Sequence, residues 1–329
     1  MAIVPKVVGV DVSKATLDVC YAVEQRLTHA QVRNASAGFE QLVRTCGVDC
    51  CYVLEATGSY YLALAYYLVE QGAQVAVLNP LVVRRFIQMH LGKGKSDRKD
   101  AQWLLRYGQQ QPLPAWQPEE AVLVECRQLE QVSEQLIRQK TMILNSLEAL
   151  QQHPVASTLA RQHLHQALHQ LEAQIQALET EILALLEQQY AREMPLLCSI
   201  PGIGRKTAGA PLLFAKGFAQ VDNYRQLIAK AGLCPREYSS GTSVHGKARI
   251  TRMGGGLIRR LLFRCSFSAK KANTACKALY DRLLAKGKNS KLALIAVCNK
   301  LLKQACAIVK SGIPYQADFV GKLGSALAS

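Results

Sequence analysis

The pattern of apolar and polar positions in the first third of the chain predicts a mixed α/β domain. Residues 6–12 form a nearly continuous apolar run, and residues 16–23 and 26–33 alternate between apolar and polar side chains, as strands do. Further apolar strands are predicted at 50–55 and from residue 74, and each is followed by a helical pattern. Three antiparallel strands followed by strand–helix alternation indicate a mixed central sheet.

Longer helical repeats begin after a proline-containing linker at residues 112–118. A long helix is predicted from about Glu119 to a break at His153-Pro154, and a second helix follows it. In that second helix, leucines and isoleucines between Leu164 and Leu185 alternate spacings of four and three over about three heptads, the seam of a coiled coil. The two helices could pack as a hairpin or pair between subunits, and the sequence leaves both arrangements open.

The chain after residue 194 is predicted to be mainly helical, with one long polar segment between its helices. These changes of pattern divide the chain into three expected domains. They are an α/β domain at 1–110, a linker and coiled coil at 111–193, and a helical domain at 194–329.

The distribution of charge along the chain indicates what kind of molecule the last domain binds. The whole chain has a formal net charge of +16. Residues 1–200 carry 17 Lys and Arg against 20 Asp and Glu, whereas residues 201–329 carry 23 against 4. This concentration of positive charge indicates a polyanionic partner, and nucleic acid is the first candidate.

Several features favour a cytoplasmic location over a secreted or membrane one. The eleven cysteines are scattered without a Cys-x-x-Cys pair, so we expect them to be reduced and mostly buried. The N-terminus leads directly into a strand pattern rather than a secretory signal. No uninterrupted apolar run reaches the ~18 residues of a membrane-spanning helix.

Four carboxylates lie where a metal site would need them. Asp97 and Asp100 are three residues apart at the start of a predicted helix, so they share a face and repel each other unless a cation lies between them. Asp11 and Glu55 end two buried strands, and ligands of open α/β sheets bind beyond the carboxyl ends of strands. The four acids together predict a site for one or two Mg²⁺ ions. Each acid alone could instead be a helix-cap or strand-end residue.

A glycine-rich turn opens the basic part of the chain. The sequence Ile-Pro-Gly-Ile-Gly at 200–204 is typical of a helix-hairpin-helix element, in which Gly202 and Gly204 let backbone N–H groups approach a phosphate. Arg205 and Lys206 add positive charge at the same place. The alternative is a glycine-rich turn between two packed helices.

The polar segment that begins at Gly232 combines hydroxyls with basic side chains. Ser239, Ser240, Thr242 and Ser243 lie close together in it. A hydroxyl among guanidinium groups can attack a phosphate, because the cations hold the phosphoryl oxygens. A flexible loop that only contacts phosphate is an equally good interpretation. The basic residues expected to contact nucleic acid in and after this segment are Arg236, Lys247, Arg249, Arg252, Arg259 and Arg260.

Six short motifs occur in one order along nearly the whole chain. They are Gly9 to Lys14, Leu54 to Tyr60, Asn79-Pro80, Lys95 to Ala101, Ile200 to Gly204, and Gly232 to Ser243. With these motifs the chain resembles the DEDD transposases of bacterial insertion sequences, the bridge-RNA-guided serine recombinases. The resemblance implies an N-terminal RuvC-like domain with an RNase H fold, a coiled coil and a C-terminal transposase domain.

The resemblance also implies roles for particular residues and partners. The nucleophilic serine corresponds to Ser240, with Ser239 as the neighbouring alternative. A guide (bridge) RNA would pair with donor and target DNA. The protein would act as a tetramer, a dimer of dimers, whose active sites combine the acidic domain of one subunit with the serine domain of another. The four acids that correspond to the family's metal ligands are Asp11, Glu55, Asp97 and Asp100.

These observations predict an RNA-guided DNA recombinase of the bacterial cytoplasm, associated with the nucleoid, that forms a covalent phosphoserine intermediate with the help of Mg²⁺. Two alternatives stay open from the residues alone. A metal-dependent nuclease of the Holliday-junction type would need the acids but no serine. A non-catalytic nucleic-acid-binding protein would need only the basic segment.

Overall fold

The structure is a computed structural model that describes residues 6–24, 26–92, 94, 96–219, 221–236, 239–240, 244–245, 249–251 and 254–317. The chain divides into two compact units, Met1–Pro118 and Glu119–Ser329. Each unit has its own hydrophobic core. The boundary between them falls at the end of the predicted proline-containing linker. A further division near residue 193, between the long helices and the basic helices, stays a prediction.

Unit 1 contains the predicted mixed sheet. Its strands lie in the order β3-β2-β1-β4-β5. Strand β2 pairs antiparallel with both β1 and β3, whereas β1–β4 and β4–β5 are parallel. The prediction of three antiparallel strands within a mixed central sheet is therefore confirmed. The strands are β1 Lys6–Val12, β2 Thr16–Val23, β3 Arg26–Arg33, β4 Cys50–Glu55 and β5 Gln74–Leu78.

Four helices cover the two faces of this sheet. Because side chains alternate along a strand, Val8 and Val10 of β1 pack with residues of the first two helices, whereas Val7 faces the last two. Each face thus buries its own apolar cluster, and both faces of the central strand are covered. The helices are α1 Ser36–Cys46, α2 Leu62–Glu70, α3 Pro80–Met89 and α4 Asp97–Gln110.

Helix α4 lies directly on strand β1 because residue 9 has no side chain. A Cβ atom at Gly9 would lie 2.2 Å from the carbonyl oxygen of Ala101 and 2.4 Å from the amide nitrogen of Leu105. At the other end of the helix, a Cβ at Gly108 would lie 2.6 Å from the side chain of Val7. These two glycines fix the position of the helix along the sheet.

Unit 2 begins with two long helices, α5 Ala121–Gln152 and α6 Thr158–Gln189, which pack against each other as an antiparallel hairpin. Lys140 forms an ion pair with Glu172 at 2.7 Å, and Glu120 accepts a hydrogen bond from the hydroxyl of Tyr190 at 2.9 Å. The start of α5 thus lies near the end of α6, and a later part of α5 lies near an earlier part of α6, so the two helices run antiparallel. Of the two arrangements left open by the sequence, this chain thus forms the hairpin.

The rest of unit 2 is mainly helical, as predicted, and its core joins the ends of the hairpin to the later helices. The polar segment after Gly232 was expected to be a loop, but it contains two short antiparallel ladders, β6 with β9 and β7 with β8. The strands are β6 Pro235–Arg236, β7 Ser239–Ser240, β8 Val244–His245 and β9 Arg249–Ile250. The helices are α7 Glu193–Cys198, α8 Arg205–Ala215, α9 Tyr224–Lys230, α10 Gly256–Ala272, α11 Thr274–Ala285 and α12 Ser290–Ser311.

Helix α12 is the one helix among the described residues that is long and apolar enough to cross a membrane, with a mean hydropathy of 1.7 over its most apolar window. Inspection for uninterrupted apolar runs misses it because Lys300 and Lys303 divide the run. Half of that window is buried inside the protein, and the helix packs against α7, α9, α10 and α11. Its apolar composition is accounted for by this packing. All eleven cysteines are free, as expected.

The packing at Gly9 leads to a first prediction. Gly9→Ala should destabilise unit 1 by about 1–3 kcal/mol, because the added methyl group overlaps backbone atoms that cannot move independently of the helix. Both tryptophans of the chain, Trp103 and Trp116, lie in unit 1, so their fluorescence during urea unfolding reports this unit. Gln41→Ala, at an exposed position of α1 in the same unit, serves as the control and should leave the midpoint nearly unchanged. An unchanged fluorescence midpoint in Gly9→Ala would contradict the packing described here.

Candidate active site

Three aspartates of unit 1 converge at one end of the sheet. Asp11 is the penultimate residue of β1 and lies two residues beyond Gly9, on the strand face that carries α4. The hydroxyl of Ser96 accepts a hydrogen bond from the amide of Lys99 at 3.3 Å and caps α4. The cap places Asp97 and Asp100 in the first turn of the helix. Carboxylate oxygens of Asp11, Asp97 and Asp100 all lie within 4.8 Å of one another.

Glu55 lies beside this cluster but is not part of it. It ends β4, which runs parallel to β1, one position beyond the Val10–Leu54 pair. Its carboxylate accepts a hydrogen bond from the hydroxyl of Thr57 at 3.0 Å. The structure therefore brings together three of the four predicted acids, with the fourth close enough to act on the charge of Asp11.

The electrostatics of the cluster centre on Asp11. Burial, followed by the nearby carboxylates of Asp100, Asp97 and Glu55 in that order of size, raises the pKa of Asp11 from 3.8 to about 6. A divalent cation between the carboxylates would remove this repulsion. The donor atoms are all carboxylate oxygens, which suit a hard ion such as Mg²⁺. The residues present thus fit a divalent metal.

A fifth acid, Asp18, was missed by sequence reasoning. Asp18 of β2 lies directly opposite Asp11 in the antiparallel ladder, and it contributes to the raised pKa of Asp11. Both of its carboxylate oxygens accept hydrogen bonds from the side-chain amide of Gln31 at 3.2 Å. The signal was present in the sequence, because a tight turn after Val12 sets the strand register that pairs residues 11 and 18.

The glycine-rich turn at 200–204 connects α7 to α8. Gly202 has a φ of +101°, and a Cβ there would lie 2.7 Å from the Cβ of Ala269 on α10. Close packing therefore explains this glycine, as in the alternative of a turn between packed helices. Gly204 precedes the first turn of α8, and no atom lies within 4 Å of a Cβ built there. Contact of either glycine with phosphate stays a prediction.

Three of the predicted nucleic-acid-binding cations form ion pairs with acids of the hairpin. Arg205 pairs with Glu187 at 2.5 Å, Lys206 pairs with Glu179, and Arg260 pairs with Glu134 at 2.5 Å. The basic side chains of these pairs are 72%, 60% and 55% exposed, respectively. Exposed pairs contribute little to stability, so phosphate oxygens can replace the carboxylates at small cost.

Arg259 has a different environment. Its guanidinium donates hydrogen bonds to the carbonyl oxygens of Ala231 and Gly254, at 2.8 Å and 2.6 Å. These two residues lie immediately before and after the polar segment at 232–253, the serine-bearing segment, which contains Ser239 and Ser240. Arg259 thus holds together the two ends of that segment, a contact that cannot be predicted from sequence patterns.

Within the serine-bearing segment, the structure describes the two short backbone ladders. Ser240 of β7 pairs with Val244 of β8, and Arg236 of β6 pairs with Arg249 of β9. The side chains of Ser239, Ser240, Arg236 and Arg249 lie outside the described part of the structure. Lys247 and Arg252 lie outside it entirely.

Comparison with known proteins gives two family matches. Residues 8–153 match the DEDD transposase model of the IS110 type, and residues 194–281 match the model described as transposase of the IS116/IS110/IS902 family. The first matched region contains all four predicted acids. The second contains Ser240.

Individual relatives align over most of the chain. The pilin gene-inverting protein of Moraxella lacunata is 29% identical over 322 residues, 94% of this chain and 97% of that protein. The transposase for insertion sequence element IS1111A of Coxiella burnetii is 24% identical over 323 residues, 90% of this chain and 87% of that protein. The transposase for IS1328 of Yersinia enterocolitica is 25% identical over 290 residues, 79% and 82% of the two chains.

The raised pKa of Asp11 leads to a second prediction. Because the folded state holds the Asp11 proton more tightly than the unfolded chain does, the free energy of unfolding falls as pH rises from about 4 through about 6. Asp11→Asn cannot ionise. It should therefore stabilise unit 1 at pH 7 in metal-free buffer, by on the order of 1–2 kcal/mol after allowance for solvent screening.

Tryptophan fluorescence during urea unfolding, with and without Mg²⁺, tests this prediction. The difference between the two proteins should vanish below about pH 3, where the carboxyl of Asp11 is protonated in both the folded and the unfolded state. Added Mg²⁺ should raise the midpoint of the parent at pH 7 but not that of Asp11→Asn. A destabilised Asp11→Asn at pH 7 without metal would contradict the described electrostatics.

Proposed function

Because the chain belongs to the IS110 family of transposases, we propose that it is a DNA recombinase that cuts and rejoins donor and target DNA by phosphoryl transfer. The observation that carries this proposal is the convergence of Asp11, Asp97 and Asp100 within the region matched by the DEDD family model. The names of the relatives, which are transposases and pilin gene-inverting proteins, describe DNA rearrangement as well.

The proposed metal site consists of the three converging aspartates with Glu55 beside them. These residues hold one or two Mg²⁺ ions, and the all-oxygen donor set supports this choice. When bound there, Mg²⁺ would neutralise charge on a scissile phosphate and lower the pKa of a nearby hydroxyl. The strand order β3-β2-β1-β4-β5, with α4 on the sheet, supports the assignment of a RuvC-like RNase H fold to unit 1.

Ser240 is the proposed nucleophile. Its Oγ forms a new P–O bond to the scissile phosphate, and the bond from phosphorus to the leaving DNA oxygen breaks. That oxygen departs with the electron pair and takes up a proton, while the hydroxyl proton of Ser240 passes to solvent or to a nearby carboxylate. Attack by a DNA hydroxyl on the phosphoserine then reverses the bonding and releases the serine. The free energy of the phosphodiester bond is retained at each step, because one phosphodiester is exchanged for another.

Guidance by RNA is the proposed source of sequence specificity. A bridge RNA pairs with donor and target DNA, so the protein needs to hold backbones rather than read bases. The excess of basic residues in 201–329 supports this role. The contact residues proposed are Gly202, Gly204, Arg205, Lys206, Arg236, Lys247, Arg249, Arg252, Arg259 and Arg260.

The proposed assembly is a tetramer, a dimer of dimers, in the bacterial cytoplasm at the nucleoid, with a coiled coil formed by the hairpin. Apolar side chains exposed on the hairpin support subunit contact there. Met142 is 68% exposed and lies beside a surface groove lined also by Ile143 and Leu171. Active sites that combine acids and serine from different subunits would follow from such an assembly.

The nucleophile is tested by a third prediction. Ser240→Ala should abolish a covalent protein–DNA adduct, because the alanine side chain has no oxygen that could form the P–O bond. The adduct is detected by denaturing electrophoresis of labelled DNA after reaction with Mg²⁺ and guide RNA. Ser239→Ala and Ser243→Ala are the matched controls and should keep it, whereas Asp97→Asn should lose it.

Two other outcomes would change the proposal. An adduct that survives in Ser240→Ala and disappears in Ser239→Ala would move the nucleophile by one residue. DNA cleavage without any adduct in the parent protein would favour the metal-dependent nuclease, which needs only the acids of unit 1.

The assembly is tested by a fourth prediction. Replacing both Leu171 and Leu178 with Lys should remove the higher oligomer, because burying these two charges in the apolar seam costs on the order of several kcal/mol in total. Light scattering with RNA bound measures the mass. Gln166→Lys with Gln176→Lys adds the same charge at exposed positions of the same helix and should leave the mass unchanged. If both double variants keep the mass of the parent, the hairpin does not form the contact between subunits.

A further inference from the structure

A cavity of about 360 Å³ in unit 2 is lined by basic residues from three separate elements. Arg127 comes from α5, Lys216 caps the C-terminus of α8, and Lys230 ends α9. Because these residues are distant in sequence, folding rather than a run of like charge brings them together. None of the three belongs to the predicted nucleic-acid-binding set.

The positive charge in this cavity is only partly neutralised. Glu119 forms ion pairs with both Arg127 and Lys216. Lys230 forms no ion pair with any residue that the structure describes, and its ammonium lies 5.5 Å from the centroid of the Phe214 ring. Burial, followed by the charges of Lys216 and Arg127, lowers the pKa of Lys230. The three cations thus crowd one another, and an anion would relieve their repulsion.

Glu130 is the acid among the described residues that line the cavity itself, whereas Glu119 contacts two of its cations. Burial and the neighbouring carboxylate of Glu134 raise the pKa of Glu130 to about 7, although Arg127 and Arg260 act in the opposite direction. Near neutral pH this carboxyl is therefore partly protonated and cancels less than one full positive charge. The cavity keeps a net positive charge with Glu119 and Glu130 both counted.

Backbone groups add to the attraction for anions. Gly255, Gly256 and Leu257 line the cavity at the start of α10, a helix of 17 residues whose N-cap, Gly255, offers no side-chain cap. The first amides of a helix lack partners within it, and the helix dipole adds positive potential there. The glycine before them is also constrained, because Gly254 has a φ of +72° and its Cβ would lie 2.4 Å from the carbonyl oxygen of Lys230.

The cavity lies at the base of the serine-bearing segment. Lys230 is the last residue of α9, just before this segment begins at Gly232, and Gly254 follows the segment before α10 starts at Gly256. Arg259 bonds to carbonyl oxygens at both ends, those of Ala231 and Gly254. The pairing of Pro235 with Ile250 closes the segment just beyond. An anion in the cavity would therefore lie next to the two ends of the segment that carries Ser240.

We propose that this cavity, lined by Arg127, Lys216, Lys230 and the start of α10, binds a backbone phosphate of the DNA strand that the serine-bearing segment acts on. The identity of the strand rests on the proposed function, whereas the binding of a DNA phosphate does not need serine chemistry. The bound phosphate fixes the strand at the base of the segment. A neighbouring phosphodiester is thereby held near that segment.

The test measures DNA binding by the full-length protein. Fluorescence anisotropy follows a labelled DNA duplex, without guide RNA, at a series of salt concentrations. Lys230→Gln should weaken binding by about 3–10-fold at low salt and reduce the slope of log affinity against log salt by about one, because one phosphate contact is lost. Glu130→Gln, which removes the competing carboxylate, should strengthen binding by about 2–3-fold. Circular dichroism melting confirms that each variant is folded.

Lys277→Gln is the matched control, because Lys277 is an exposed lysine of the same unit on α11, outside the cavity. It should leave the salt slope as in the parent. Equal affinity and slope in Lys230→Gln and the parent would overturn the proposal. An effect of Lys230→Gln confined to an RNA duplex of the same sequence would overturn it as well.

Inorganic phosphate distinguishes the two sources of the anion. Calorimetric titration with phosphate should give weak binding at most, because a strand supplies further contacts that a free ion lacks. Tight phosphate binding that Lys230→Gln removes, with unchanged DNA binding, would assign the cavity to a free anion and overturn the proposal. Loss of DNA affinity in Lys230→Gln supports the cavity even if no serine adduct forms, so this test is separate from that of the proposed function.

Discussion

The contact between helix α4 and strand β1 at Gly9 is the constraint on which the acidic site depends. A side chain at residue 9 would overlap the backbone of Ala101 and Leu105, so the helix lies directly on the strand. Asp11, two residues further on the same face, then meets the aspartates in the first turn of the helix. The burial of Asp11 and its repulsion by the neighbouring carboxylates oppose folding, as the raised pKa of Asp11 indicates. Apolar packing of the rest of α4 offsets it, and a bound divalent cation would turn the repulsion into attraction.

Unit 2 has the opposite problem, an excess of positive charge on its later helices. Acids of the hairpin pair with several of those cations, as in the Arg205–Glu187 and Arg260–Glu134 pairs. Because exposed pairs contribute little to stability, a polyanion can replace the carboxylates without unfolding the protein. The hairpin therefore supports the basic helices and, under the proposed function, would compete with phosphate for their cations. That competition favours binding of a long, multiply charged strand over binding of single anions.

Much of the fold could be predicted from the sequence because local patterns determine it. Strands β2 and β3 follow from alternation alone, and the aspartates of α4 follow from helical spacing. The features that could not be predicted from the sequence depend on packing between distant segments. Asp18 joins the acidic site through strand register, and Gly202 is explained by its contact with α10 rather than by a ligand. The cations around Lys230 come from three elements that only the tertiary fold unites, and the choice of a hairpin depends on the turn at 153–157.

The central claim is that the aspartates at the end of β1 and the start of α4 form a divalent metal site. The most direct measurement is anomalous X-ray diffraction from crystals of the protein grown with Mn²⁺, an ion that takes the same oxygen ligands as Mg²⁺. A strong anomalous peak between the carboxylates of Asp11, Asp97 and Asp100 is the predicted result. Ordered carboxylates without a peak between them, at a saturating concentration of Mn²⁺, would contradict the account.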